Sequence, residues 1–496
     1  MNKLKRTLAL VATLAMAATA FVGCGDEEEA KEESSSTVEQ TDAPADETEA
    51  EEETDAPADE TEAEEETQAP ADTSAKSTEL GAIDASVKTG GDTFTVAAWN
   101  ADDVPYLIAQ WKGCTVEEVE TLDGINFVSF GVGGGEASER YDQMFSAGED
   151  LDVYFAEADW ALKYINDDTK PLALDKLGFS DATFAEIYSY TDEIGKDNNG
   201  VRKGVSWQAA AGGFAYRADL AETYLGVTSP EEMQAKIGNW DDFVAAAQTI
   251  SEQSGGKTAL ADTLGGMWQA FACGRTQPWV VDNTLVIDDF CEDFANTAKA
   301  LWDCGGITQN NQWTDEWTAA AANDSCMGYF VSTWGYAGFF KDAATPTAGQ
   351  WAVCQGPQAY YWGGTWMVVN PATDNGEEAQ DFIKTFTVDN DAIATYAQSK
   401  PEFCNNTTVM DELIAADTVF NKDVTALFKD GQNIYGELYK NAQTIDFKGL
   451  ITEYDATVKT NFVEAVKENY LAGASWDETK EAFMDLVAED LPDLNW

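Results

Sequence analysis

The feature that most constrains this chain is a 13-residue segment, Thr41 to Glu53, that recurs unchanged from Thr54 to Glu66 and begins a third time at Thr67-Gln68-Ala69-Pro70-Ala71-Asp72. Each copy is acidic, proline-bearing and free of large apolar side chains. Such a repeat has no face to bury and cannot stack into a solenoid, so it predicts a disordered spacer. The charge follows the same division. Residues 1–25 carry three basic and no acidic side chains, residues 26–79 carry 23 acids and two lysines, and the rest holds the remainder of a formal net charge of -61. Everything able to build a core must therefore lie in about residues 89–496, enough for two or three domains.

Composition removes several function classes. There is no histidine, so neither a Ser-His-Asp system nor a His-ligated metal site is available. With 29 Lys plus Arg against 90 Asp plus Glu, the chain would repel phosphate backbones, and no nucleic-acid partner is expected. What stands out is 16 Trp in an acidic body.

The N-terminus reads as an export signal. Lys3, Lys5 and Arg6 precede the uncharged stretch Thr7 to Gly23, at the short edge for a membrane span. Phe21-Val22-Gly23-Cys24 resembles the lipobox of bacterial lipoproteins, which implies signal removal after residue 23, lipidation of Cys24 and a membrane anchor. Secretion with cleavage after Ala18-Thr19-Ala20 is the alternative. Residues 24–88 then form an acidic tether, whose role is to hold the body away from an anionic cell surface.

From about Gly90 the pattern alternates strands with helices. Phe94 to Trp99 and Asn126 to Phe130 read as strands, the second running into Gly131 to Gly135. A helix follows with Tyr141, Met144 and Phe145 at helical spacing, and Leu151 to Phe155 resumes as a strand. Trp240, Phe243, Val244, Ala247 and Ile250 stripe a helix that stops at Gly255-Gly256. Trp366 to Asn370 reads as a strand. The last 90 or so residues are mostly helical, with a capping box at Ser475-Trp476-Asp477-Glu478. This predicts an α/β protein of two lobes with the chain crossing between them more than once.

Two strand ends carry the chemistry of sugar recognition. A pyranose stacks its C–H face on an aromatic ring and offers hydroxyls to carboxylates and amides. Trp99-Asn100-Ala101-Asp102-Asp103 follows the first strand, and Glu157-Ala158-Asp159-Trp160 follows the strand at Leu151. Both would sit where ligand crevices form in open α/β sheets. Trp160, Trp268, Trp334 and Trp362 have loop settings suited to platforms. Trp99, Trp207 and Trp366 could equally point into a lobe, and Trp240, Trp302, Trp317 and Trp476 are expected to pack. Gly131 to Gly135 lacks the Lys-Ser/Thr of a phosphate loop and is expected as a tight turn. Asp197 to Gly200 lacks the spaced acids of a calcium loop. The seven cysteines after Cys24 show no CxxC spacing and are expected as buried apolar residues, with one or two disulfides left open. No metal and no cofactor is expected.

Phe94-Thr95-Val96-Ala97-Ala98-Trp99-Asn100, Gly133-Gly134-Gly135 before a helix, Ala147-Gly148-Glu149-Asp150-Leu151-Asp152-Val153-Tyr154-Phe155, Gly204-Val205-Ser206-Trp207, Trp240-Asp241-Asp242-Phe243, Gly328-Tyr329-Phe330 and Trp362-Gly363-Gly364-Thr365-Trp366 occur in that order. The set resembles the maltodextrin-binding-like, extracellular carbohydrate-binding proteins of bacterial ABC importers, over nearly all of residues 90–496. The resemblance implies a periplasmic-binding-protein-like fold with a ligand cleft between two lobes and several hinge crossovers. One lobe would take about residues 90–207 and 360–400, the other about 208–359 and 401–496. It implies hydroxyl contacts from Asn100, Asp102 or Asp103, and Asp159, platforms at Trp268 and Trp334, and a Trp362-Gly363-Gly364 turn close to the sugar. Glu157, Trp160 and Trp366 complete the expected ligand-binding set. It further implies a monomer that takes a neutral mono- or oligosaccharide at the outer face of the cell membrane and delivers it to permease subunits, without catalysis. A secreted glycoside hydrolase, with Glu157 and Asp159 as its carboxyl pair, and a carbohydrate-binding adhesin are the competing readings.

Overall fold

The computed structural model describes residues 76–100, 103–400, 402–418, 422–445 and 450–496. The expected signal segment, Cys24, the repeats and Asp102 lie outside these residues.

Two sheets carry the architecture. Strands β1 (Phe94–Ala98), β2 (Ile125–Ser129), β3 (Val153–Glu157), β4 (Gly204–Ser206) and β11 (Thr365–Val369) form one sheet in the order β2-β1-β3-β11-β4. Strands β5 (Gly212–Arg217), β6 (Ala259–Ala261), β9 (Cys326–Ser332) and β10 (Trp351–Cys354) form the other in the order β10-β5-β9-β6. A short hairpin, β7 (Val280–Val281) and β8 (Thr284–Leu285), stands apart. The expected strands at Phe94, Asn126, Leu151 and Trp366 are all present, shifted by one or two residues.

In the first sheet β1, β2 and β3 run parallel, and β11 enters antiparallel between β3 and β4. Side-chain alternation lets both faces be buried. Val153 and Phe155 of β3 point into one core with Met367 and Val369 of β11, while Tyr154 and Ala156 point into another with Trp366 and Val368. The second sheet repeats the scheme: Trp351 and Val353 share the large core, and Ala352 and Cys354 face a third, with Phe243, Trp268 and Phe462. Of the stripe read from sequence in the helix Trp240–Ser254, Phe243, Ala247 and Ile250 are buried in this third core and Trp240 and Val244 are half-buried against it.

Three stretches lie side by side between the sheets. The β4–β5 link pairs with the β10–β11 link through Ala211 and Tyr361, and with a third segment through Gln208 and Cys404. Trp362 donates its amide to Ala210 (3.0 Å), and Ala209 donates to Phe403 (3.0 Å). All seven described cysteines are free thiols. No helix among the described residues is long and apolar enough to cross a membrane.

Candidate functional site

Sheet topology brings distant sequence segments to one edge. Because β1 and β3 are parallel, Trp99 and Asn100 after β1 emerge beside Glu157, Asp159 and Trp160 at the end of β3. The antiparallel entry of β11 pairs Thr365 with Glu157 and Trp366 with Ser206. The turn before β11 and Gln208 after β4 therefore arrive at the same edge. From the other sheet come Trp334, just beyond β9, Trp313 in the loop ahead of the helix Asp315–Ala321, and the helix Asp455–Ala465.

These ends enclose a cavity of about 680 Å³ whose walls include Trp99, Asn100, Asp103, Glu157, Asp159, Trp160, Gln208, Trp313, Trp334, Trp362, Gly363, Gly364 and Lys459. Five of its wall residues are tryptophans. Trp99 and Trp160 meet edge to face (ring centroids 5.6 Å apart), and the Trp160 indole donates to the Gly134 carbonyl (3.0 Å). Across the cavity Trp334 lies against Trp362 (5.3 Å) and donates its indole N–H to the Trp362 carbonyl (2.8 Å). Trp313 stacks nearly parallel to Trp334 (6.3 Å) while remaining 58% exposed. Its backbone sits at φ 67°, a left-handed conformation rare for a bulky residue, and such strain concentrates at functional sites.

The Gly363-Gly364 turn needs glycine. Both residues have positive φ (73° and 110°), and a Cβ on Gly364 would meet the Trp366 ring at 3.3 Å. The turn can thus lie between Trp334, Glu157 and the buried Trp366.

The polar groups are largely held. Asn100 Nδ2 donates to Asp103 Oδ2 (2.6 Å), the Asp103 amide donates back to Asn100 Oδ1 (2.8 Å), and Lys400 pairs with Asp103 (2.7 Å). The Asp159 amide donates to Glu157 Oε2 (2.8 Å), and Lys459 donates to Asp159 across the cavity. Burial and the neighbouring Asp159 push the Glu157 carboxyl above the usual carboxylate range, against the pull of Lys459. Burial works against the Lys459 charge, yet Asp159 and Glu157 hold its ammonium above its ordinary value. Behind the wall, Gln208 Nε2 donates to Glu402 (2.9 Å) and Thr333 Oγ1 donates to its other oxygen (3.1 Å). Burial, with Asp103 nearby, raises the Glu402 carboxyl to about 7. No group of His, Cys, Asp and Glu among the described residues is arranged to hold a metal ion.

The structure brings together Asn100, Asp103, Glu157, Asp159, Trp160, Trp334, Trp362, Gly363 and Gly364 of the expected set. Two expected residues lie outside this cavity, although Trp268 borders an adjoining one. Trp268 is 3% exposed, packed among Trp279, Phe294 and Phe462; its helix, Leu264–Phe271, is apolar around most of its circumference and is buried accordingly. Trp366 lies within β11, which is covered on both faces, and donates its indole to the Thr191 carbonyl (3.0 Å). It supports the glycine turn from below. Sequence reading missed Trp313, Gln208 and Lys459, none of which sits in a local pattern that marks a cleft.

Two sheets joined by paired crossovers, with a tryptophan-lined cavity at the strand ends between them, define the two-lobed α/β binding fold of periplasmic-type receptors. The profile of the bacterial extracellular solute-binding protein family matches residues 116–426, and the chain belongs to that family, which is not an enzyme family. Solved structures agree on the fold. A family 1 extracellular solute-binding protein is similar with a TM-score of 0.67 at 16% identity, over 82% of this chain and 100% of that one. The galacto-N-biose-/lacto-N-biose I-binding protein of an ABC transporter from Bifidobacterium longum, in complex with lacto-N-biose, gives 0.61 at 16% identity, over 82% and 100%. The GacH receptor of Streptomyces glaucescens, solved unliganded and with acarbose, gives 0.57 at 17% identity, over 81% and 100%. No curated protein matches the sequence significantly.

Proposed function

We propose that the protein captures a neutral oligosaccharide outside the cell and hands it to the permease subunits of an ABC importer, its body held at the membrane by lipidated Cys24 and the acidic tether. The observation that carries this reading is the cavity wall itself. Five tryptophans share about 680 Å³ with Asn100, Asp103, Asp159 and Gln208, the aromatic-plus-amide mixture that suits a hydroxylated ring. The saccharides bound by the similar Bifidobacterium and Streptomyces receptors point the same way.

The wall chemistry favours a neutral ligand. Its one lysine, Lys459, is paired with Asp159, which leaves little attraction for a uronate or phosphate. It also disfavours hydrolysis. Glu157 and Asp159 share one short segment and Asp159 is neutralised by Lys459, whereas a glycosidase needs its two carboxyls flanking the scissile bond.

The test is a panel of neutral mono- and oligosaccharides added to the purified protein, followed by tryptophan fluorescence, melting temperature and chromatography of the sugar. Quenching or a spectral shift with a raised melting temperature and intact sugar is the expected result. Release of shorter sugars, or no stabilisation by any member, would overturn the proposal.

A further inference from the structure

A second cavity, of about 450 Å³, lies beside the first. The two share Lys459 and Thr460 of the helix Asp455–Ala465, and the loop Thr308 to Trp313 walls both in succession: its first five residues border the second cavity and Trp313 borders the first. Both volumes fall within the roughly 300 to 1,000 Å³ typical of small-molecule sites. We infer that the second cavity is a further hydroxyl-binding subsite, and that the ligand is a chain running from the tryptophan-lined cleft past Thr460 into it. This rests on the carbohydrate reading above and extends it to ligand length.

The wall of the second cavity has its own recognition chemistry. Gln309, Asn310, Asn311 and Gln312 are four consecutive amides, and each side-chain amide can donate and accept toward hydroxyls. The Gln312 Nε2 is buried and has no hydrogen-bond partner, a costly state that a hydroxyl acceptor would relieve. Trp302, expected from its helical position to pack, is half-buried and borders the cavity, supplying an aromatic surface beside the amides. Charges on the wall come in both signs. Lys459 is paired with Asp159, Lys467 donates to Asn311 Oδ1 (2.6 Å), and Glu464 and Glu468 stand on the same side. Such a wall selects neither anions nor cations, and amides with an aromatic ring suit a neutral polyol unit.

The junction is marked by the strained residue. Trp313 holds its left-handed backbone where the loop turns from the second cavity to the first. A relaxed backbone there would redirect either the ring or the amides, and the left-handed turn serves both walls with one short loop.

The experiment is calorimetric titration of the full-length protein with linear neutral saccharides of the malto-, cello- and β-galacto-series, from disaccharide to hexasaccharide, repeated on Gln312→Leu and Asn311→Ala. Within the series that binds, affinity rises by tenfold or more from the disaccharide to a longer member. Each variant loses about three- to tenfold toward the longer member, as for one hydrogen bond, with disaccharide affinity unchanged and the melting temperature of Gln312→Leu equal to or above the parent's. Disaccharide binding with no gain from length, or equal losses for short and long members in both variants, overturns the inference and leaves the carbohydrate reading standing. Binding of no saccharide in any series overturns both.

Discussion

Trp313 couples backbone strain to the proposed ligand platform, and two substitutions separate them. The ring is 58% exposed, so about two-fifths of its roughly 200 Å² is packed against Trp317 and Phe339. At ~25 cal/mol per Å² that packing contributes about 2 kcal/mol, lost in either truncation. Trp313→Ala keeps a Cβ at φ 67° and the roughly 1 kcal/mol or more that a left-handed L-residue costs, whereas Trp313→Gly releases it. Glycine is normally the less stable choice because of its unfolded-state entropy. Here the order reverses: chemical denaturation shows Trp313→Gly more stable than Trp313→Ala by about 0.5 kcal/mol, the left-handed cost less the glycine entropy. Saccharide affinity falls by about 2 kcal/mol, or ~30-fold, in both, the value of covering most of the exposed ring surface. An alanine variant more stable than the glycine variant would refute the strain argument. Unchanged affinity in both would refute the platform.

Glu402 predicts a pH dependence. Its folded-state carboxyl titrates at about 7 against roughly 4.3 in the unfolded chain, so the folded protein binds more protons between those values and stability falls as pH rises through that window. The full linkage is at most about 4 kcal/mol, and Glu402→Gln should shrink the drop in denaturation free energy between pH 5 and pH 8 by a measurable part of it; an unchanged drop assigns the dependence to other groups. Gly364→Ala, forced to φ 110° with its Cβ against the Trp366 ring, costs about 2 kcal/mol or more in thermal or chemical unfolding; a variant as stable as the parent would show that the turn relaxes freely. A thiol reductant leaves the melting temperature unchanged, because every described cysteine is a free thiol; a drop would reveal a disulfide.

Legibility followed the range of the interaction that decides each feature. β1, β2, β3 and β11 were readable because apolar runs bounded by Gly, Pro or Asn are local signals. Asn100, Glu157, Asp159 and Trp160 were readable because residues just past parallel strand ends face the crevice whatever their partners. Lys459 was not, since its pairing with Asp159 spans 300 residues and nothing in its helix distinguishes it from a solvated lysine. Trp313 was hidden because its loop, between Gln312 and Thr314, looks like ordinary polar connection, and a left-handed backbone leaves no mark in the residue type.

By itself the sequence determined that the core lies beyond the acidic repeats, that it is α/β with the chain passing more than once between lobes, and that aromatic and carboxyl groups gather at strand ends. These follow from composition and periodicity, which act over a few residues. Only the tertiary structure decided which tryptophans face the cavity. Trp362 and Trp366 are four residues apart; the first lies on the crossover, where one side stays open, and the second lies in β11, covered on both faces. That difference is set by what packs above and below the strand, and those layers come from segments hundreds of residues away.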